Sequence, residues 1–408
     1  MNPIKFVGFV LLALCLIGAA GNDNQSRSDR NPPVSQFLDK GIDWLAAAQF
    51  PNGGWGAGSH QHQEIRDPKA VQIDPATSAF SAMALMRAGS TLKQGPHASN
   101  ISKALEYLLG VVEEFPEEGA NITSLTSTQP QVKMGQNIDV AMCAQFLSRV
   151  LPHTKRDKAL RKRVEVALDK CLRKVARGQS SDGSIAGAGW AGVLQSAMAH
   201  SALEAGQAAG RDVDDKVLER SREYQKGNLD AKTGEVRTEG AAGVELYSIT
   251  SNQRATAAEA SEAEKKVNEA KRKGDLSADA PVSQSSLRKA GVGNKEADRL
   301  AKAYEQNQAG KRMLDDERVL SGFGNNGGEE YLSYMMTAES MVITSDNNWK
   351  SWQQKMGRRF EKIQDGNGSW GGHHCITSPV FCTAAVIMTL TADHDAKVLM
   401  SEQDTKDK

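Results

Sequence analysis

The densest run of reactive side chains in this 408-residue sequence is His373-His374-Cys375, two imidazoles followed by a thiol. Those types can ligate a metal, move a proton or hydrogen-bond their own loop, and the triplet leaves all three open. The paired acids Glu329 and Glu330 follow a Gly-rich turn and begin the segment Tyr331 to Ile343. Acids at a helix start are usually complements to its dipole, and they can also meet a polar ligand. Asp74 precedes Pro75 at another helix start, and Asp139 stands four residues before Cys143, on one helical face. Familiar catalytic signatures are missing: the chain has no Gly-x-Ser-x-Gly, His-Glu-x-x-His, Gly-Lys-Ser/Thr or Cys-x-x-Cys.

Any site must be positioned by the rest of the chain, and composition limits what that can be. Lys and Arg number 50 and Asp and Glu number 50, a balance that argues against an electrostatic nucleic-acid binder. Residues 1–20 have Lys5 ahead of an apolar run from Phe6 to Ile17, then Gly18-Ala19-Ala20-Gly21. That order reads as an export signal cut near Ala20, so a periplasmic or secreted location is expected, with no transmembrane span in the mature chain. Export removes Cys15 and leaves Cys143, Cys171, Cys375 and Cys382 in an oxidising compartment. Cys375 and Cys382 are close enough in sequence to be a candidate disulfide, while Cys143 and Cys171 fit apolar helical stripes as buried thiols. Residues 21–35 are polar and read as a disordered linker, residues 36–400 as the folded body and 401–408 as a charged tail.

Internal repetition sets the architecture. Gln49-Phe-Pro-Asn52-Gly53-Gly54-Trp55 recurs as Gln179-Ser-Ser-Asp182-Gly183-Ser184-Ile185 and as Gln364-Asp-Gly-Asn367-Gly368-Ser369-Trp370. The Asn/Asp-Gly pair supplies a turn with positive φ, and the large apolar residue can plug between helices. Trp190, just after the second copy, is expected to join Trp55 and Trp370 as such a plug.

Hydrophobic spacing then predicts two alternating sets of helices. An amphipathic, charged set covers about 36–48, 99–114, 157–177, 214–226 and 349–363. A second set, rich in small apolar residues, covers about 76–89, 136–151, 190–206, 240–250 onward, 329–343 and 378–392. Six buried helices would alternate with six outer ones if residues 251–320 supply the missing outer member, which is the pattern of a closed double ring. In such a ring Asp74, Asp139, Glu329, Glu330, His373 and His374 would rim one mouth of the axis, where a polar ligand binds. The 251–320 region carries 14 basic and 12 acidic residues with Tyr304 its only aromatic, and is expected to project as an inserted charged helical hairpin.

Gln-x-x-Asn-Gly-Gly-Trp followed by a Thr/Ala-rich helix resembles the QW-type repeat of the terpenoid cyclase and protein prenyltransferase superfamily. The closing stretch Gly368-Ser-Trp370-Gly-Gly-His373-His374-Cys375 is similar to that of bacterial prenyltransferase/squalene-oxidase repeat proteins. The resemblance implies an all-α fold, an α/α toroid of six helical hairpins over residues 36–395, and it implies an enzyme on an isoprenoid substrate. Asp212-Val-Asp214-Asp215 matches letters of the cyclase acid motif, but it precedes Lys-Val-Leu-Glu-Arg and reads as a helix cap. The transferase resemblance implies a zinc site, for which Asp139, Cys143 and His373 are the candidate ligands, although the family places its Asp and Cys two apart. A capping Asp and a core Cys explain the first two as well. Sparse aromatics fit repeat plugs better than a carbocation pocket. The expectation is therefore an exported, non-catalytic toroid, without a cofactor, that binds a protein, peptide or polysaccharide. A cyclase- or transferase-like enzyme, zinc-dependent, is the alternative.

Overall fold

The structure, a computed structural model, describes residues 32–324 and 326–401. The export signal and almost all of the charged tail fall outside these. Sixteen α-helices occur among the described residues and are numbered here along the chain. Six form a buried inner set: α2 (Pro75–Arg87), α5 (Ile138–Val150), α7 (Gly192–Ala208), the first part of α9 (Glu245–Lys273), α13 (Gly328–Ile343) and α15 (Pro379–Leu390). Each packs on the next in that order, and α15 returns to α2, so the ring closes. Small side chains on these helices, such as Ala79, Ala82 and Ala84 of α2, let their backbones approach closely around the axis.

Outside them lie α1 (Pro32–Ala47), α3 (Ala98–Glu114), α6 (Lys158–Gly178), α8 (Asp215–Lys226), α11 (Asn294–Met313) and α14 (Trp349–Glu361). Most of these are amphipathic, with one apolar stripe toward the inner ring and charges outward. The result is an α/α toroid of six hairpins. Two boundaries differ from expectation. Pro32 already begins α1, because a proline suits the first turn of a helix. Residues 251–261, expected in the insertion, instead continue α9 as a buried inner helix, and only its far end leaves the ring. There Val267 packs with Leu287 of α10 (Gln284–Lys289) and with Leu300 of α11 in a small satellite core. Chain beyond that core returns as the outer half of α11, which supplies the sixth outer helix.

The three repeats share one geometry. Gly53, Gly183 and Gly368 adopt φ of 95°, 91° and 97°. A Cβ at Gly183 would lie 2.1 Å from the Arg220 carbonyl oxygen of the next outer helix, so glycine is required there. The repeat glutamines bridge successive outer helices through Nε2: Gln49 to Asn100 O, Gln179 to Val217 O, and Gln364 to Phe37 O. The last of these joins the end of the ring to its beginning. Trp55 and Trp370 are fully buried, and Ile185 takes their place in the second copy. Each donates its backbone N–H to a hydroxyl of the following inner helix, Ser78, Thr383 and Ser196 respectively. Trp190 does not plug anything. It is 66% exposed, because Ile185 already fills the second copy's slot.

Candidate functional site at the mouth of the ring

The lower axis, near the inner-helix C-termini, is filled by the protein itself. Arg87 bonds Glu339 at 2.6 Å and Asp395 at 2.8 Å; Arg254 bonds Glu339 at 3.0 Å and Glu204 at 2.9 Å. Arg149 also meets Asp395. Buried charges joined this way form a fixed plug of ion pairs, and the polar groups left to bind a ligand gather at the other end.

At that end the inner helices begin, and the chain lays a strap across the opening. Helix α4 (Gln129–Lys133) starts from a capping box between Thr128 and Gln131. Gln129 Oε1 accepts from Thr377 N at 2.7 Å and Ser378 N at 3.0 Å, while Gln129 N donates to Gly58 O. Arg66 donates to the carbonyl oxygens of Thr377 and Gly372 from the other side. Ala191 N donates to Lys133 O at 2.7 Å, which fixes the end of α4 against the start of α7. The strap holds Lys133 Nζ 4.4 Å from the centroid of the Trp190 ring.

The six rim candidates divide. Asp74 caps α2, accepting from Thr77 N at 2.7 Å and Ala57 N at 2.9 Å. Asp139 accepts from Val140 N and Ile122 N, and burial pushes its carboxyl up to about 7. Both are occupied by backbone. Glu329, Glu330 and His374 do converge with Lys133. Glu329 accepts from Ile376 N at 3.1 Å, and Glu330 from Tyr247 OH at 2.5 Å and Phe323 N at 3.0 Å. The two acids thereby pin the loop bearing His373-His374-Cys375 and the loop bearing Phe323. His374 sits 3.8 Å from Glu330 and edge-on to Phe323, whose ring is 65% exposed. His373 is exposed and its ring lies 4.5 Å from that of His374, tilted by 57°. Beside it opens a recess of about 250 Å³ lined by Arg66, Asp365, Asn367 and Pro379.

Burial pushes His374 below the ordinary imidazole value, and burial pushes the Cys375 thiol up to about 12, so the ring is neutral and the thiol inert at neutral pH. Burial, with Glu330 beside it, pushes Glu329 up to about 8. A carboxyl raised in the folded state stabilises fully only below its unfolded value near 4, and that contribution drains away as pH rises through about 8. The melting temperature is expected to fall between about pH 5 and about pH 9, and Glu329→Gln to flatten part of that fall. Asp139 acts with the same sign and supplies the rest. Equal slopes for variant and wild type in calorimetric scans would remove Glu329 as a source.

Two expectations fail here. The zinc set Asp139, Cys143 and His373 does not assemble, and among the described residues no group of three His, Cys, Asp or Glu is arranged to hold a metal ion. Asp139 is held by backbone, and the Cys143 thiol lies against that of Cys171. Nor are Cys375 and Cys382 bridged. All four thiols are free, with Cys382 Sγ directed at Ile376 O and Cys375 turned toward Glu329 in a positive-φ turn of 58°. The Asp212–Asp215 run behaves as a cap: Asp214 accepts from Lys216 N at 2.8 Å at the start of α8. Lys133, Gln129 and Phe323 were not singled out by sequence, and nothing in their local spacing marks them.

No protein-family model matches the chain, and no curated protein matches it. Solved structures do. An inactive variant of an α-1,6-mannanase from Salegentibacter sp. HEL1_6, in complex with α-1,6-mannotriose, aligns with a TM-score of 0.54 at 11% identity, covering 89% of this chain and 99% of that one. A type II terpene cyclase from Scytonema aligns with a TM-score of 0.45 at 13% identity, covering 90% and 99%. The chain has the α/α-toroid fold. No helix among the described residues is long and apolar enough to cross a membrane.

Proposed function

We propose that this protein is an exported, non-catalytic toroid that binds a glycan across the mouth of its ring. Trp190 carries the reading. A tryptophan 66% exposed, held from behind by Lys133 on a strap, exposes one broad apolar face to solvent. Phe323 is the other exposed aromatic among the described residues, and it stands over His374 in the same cluster. Rigid aromatic faces around polar donors suit the apolar C–H faces and hydroxyl edges of a sugar chain. The same fold holds a mannotriose in the Salegentibacter mannanase, so the architecture accommodates a glycan. The filled axis favours binding over turnover, because it leaves the rim as the place where a ligand can lie. Export rests on the sequence of residues 1–20.

Affinity electrophoresis through soluble polysaccharides, with mannan, dextran and pectin in separate gels, tests this. Wild type is expected to be retarded in at least one, and Trp190→Ala to lose about tenfold in affinity with an unchanged circular dichroism spectrum. Free migration of wild type in every gel, or retardation that Trp190→Ala leaves intact, would sink the reading. A second reading, an enzyme of the toroid class, is favoured by one observation. Glu329 stays protonated near neutral pH, as a general acid must. New reducing ends in the same polysaccharides would put that reading first.

A further inference from the structure

We propose that the glycan taken at this mouth is anionic, carrying carboxylate or sulfate groups, with Lys133 as their counter-charge; this rests on the glycan-binding reading above. Six cationic side chains are buried among the described residues: Arg87, Lys133, Lys174, Arg222, Lys226 and Arg254. Five have a partner within the protein. Arg87 and Arg254 share Glu339, Arg222 and Lys226 share Glu259, and Lys174 donates to the Glu118 and Gly119 carbonyl oxygens. Lys133 differs. It is 6% exposed, no carboxylate among the described residues lies within ion-pair distance, and the Trp190 ring is the group its ammonium faces closely.

Its stem is buried while the unpartnered Nζ still reaches solvent, and an aromatic face supplies only part of a counter-charge, so the group is open to an anion. Glu329, within its field, does not fill the role, because burial pushes that carboxyl up to about 8 even with the Lys133 charge near it. His374 and Cys375, also within its field, are pushed toward their neutral forms. An unpaired ammonium against an exposed tryptophan asks for a ligand with acceptor oxygens bearing negative charge. Because α4 is pinned at both ends, the site is held ready before the ligand arrives.

Dextran, carboxymethyl dextran and dextran sulfate share one backbone and differ in charge, so they separate the terms. Wild type is expected to bind at least one charged form about tenfold more tightly than dextran, with the preference shrinking as sodium chloride is raised. The charged form preferred distinguishes carboxylate from sulfate. Lys133→Met, which keeps the stem on Trp190, is expected to abolish the preference, and Lys133→Arg to restore most of it. Lys93→Met, at an exposed site elsewhere, should leave it unchanged. If dextran binds as well as its charged forms, or if Lys133→Met keeps the preference or Lys93→Met removes it equally, the anionic assignment is overturned while glycan binding stands. If no dextran binds and no polysaccharide in the electrophoresis panel does, both fall together.

Discussion

Trp370→Ala is expected to lower the free energy of unfolding by about 3–5 kcal/mol, the cost of emptying a large aromatic site that cannot collapse. The ring is fully buried where the last hairpin meets the first. Its Nε1 donates to Phe360 O at 2.9 Å, its backbone N–H donates to Thr383 Oγ1 at 3.0 Å, and Phe37 packs edge-on at 6.1 Å. Gly41 of α1 leaves the room it needs, since a Cβ there would lie 2.3 Å from the indole. Alanine would therefore leave a void, a carbonyl short of one donor and a loosened ring closure together. Trp190→Ala removes the same side chain from an exposed site and is expected to change stability by under about 0.5 kcal/mol. Urea unfolding of the pair measures both. Similar costs for the two would mean that the repeat plug is not what closes the ring.

Glu339→Gln is the second large effect, expected at about 3 kcal/mol because it removes one of the two counter-charges from each of two buried guanidinium groups. Glu339 holds two guanidinium groups, Arg87 and Arg254, which lie on α2 and on the neighbouring α9. Glutamine offers each a neutral acceptor and leaves both cations short of counter-charge. The pH dependence gives a separate readout. Burial alone would raise the Glu339 carboxyl, but Arg87 and Arg254 outweigh it and hold it below the ordinary value. Asp395, facing Arg149 and Arg87, is lowered in the same way. A lowered carboxyl stabilises fully above its unfolded value near 4, and that stability is lost as pH falls through the folded value. Acid unfolding of wild type should be steep below about pH 4, and the variant, already weakened, should show a shallower dependence there. An unchanged acid limb would show that the ion pairs do not govern it.

The two expectations of closure and of chemistry fared differently. Apolar periodicity and the repeated Gln-x-x-Asn/Asp-Gly turn located eleven helices to within a few residues and called for a twelfth from the 251–320 region, which α11 provides. The insertion's inner boundary was misplaced because α9 runs without a break from the ring into the arm, so no turn signal marks where one ends. Trp190 read as a plug because it sits in the repeat region, yet Ile185 occupies the slot.

Sequence by itself determined the ring, since period, small residues and turn chemistry are local properties that each hairpin carries within its own span. It also placed Glu329, Glu330 and His374 at a mouth. Only tertiary structure decided what those residues touch. Lys133, Trp190, Glu329 and Phe323 come from four separate stretches of chain, and their approach depends on how the hairpins curve round the axis. The raised carboxyl of Glu329 arises from removal of water, and the missing carboxylate partner of Lys133 from packing, neither of which spacing encodes. The thiols told the same story: sequence proximity suggested Cys375 with Cys382, whereas packing of α5 on α6 set Cys143 beside Cys171. Chemistry here depends on what packing excludes and brings near, and that is settled only when the ring closes.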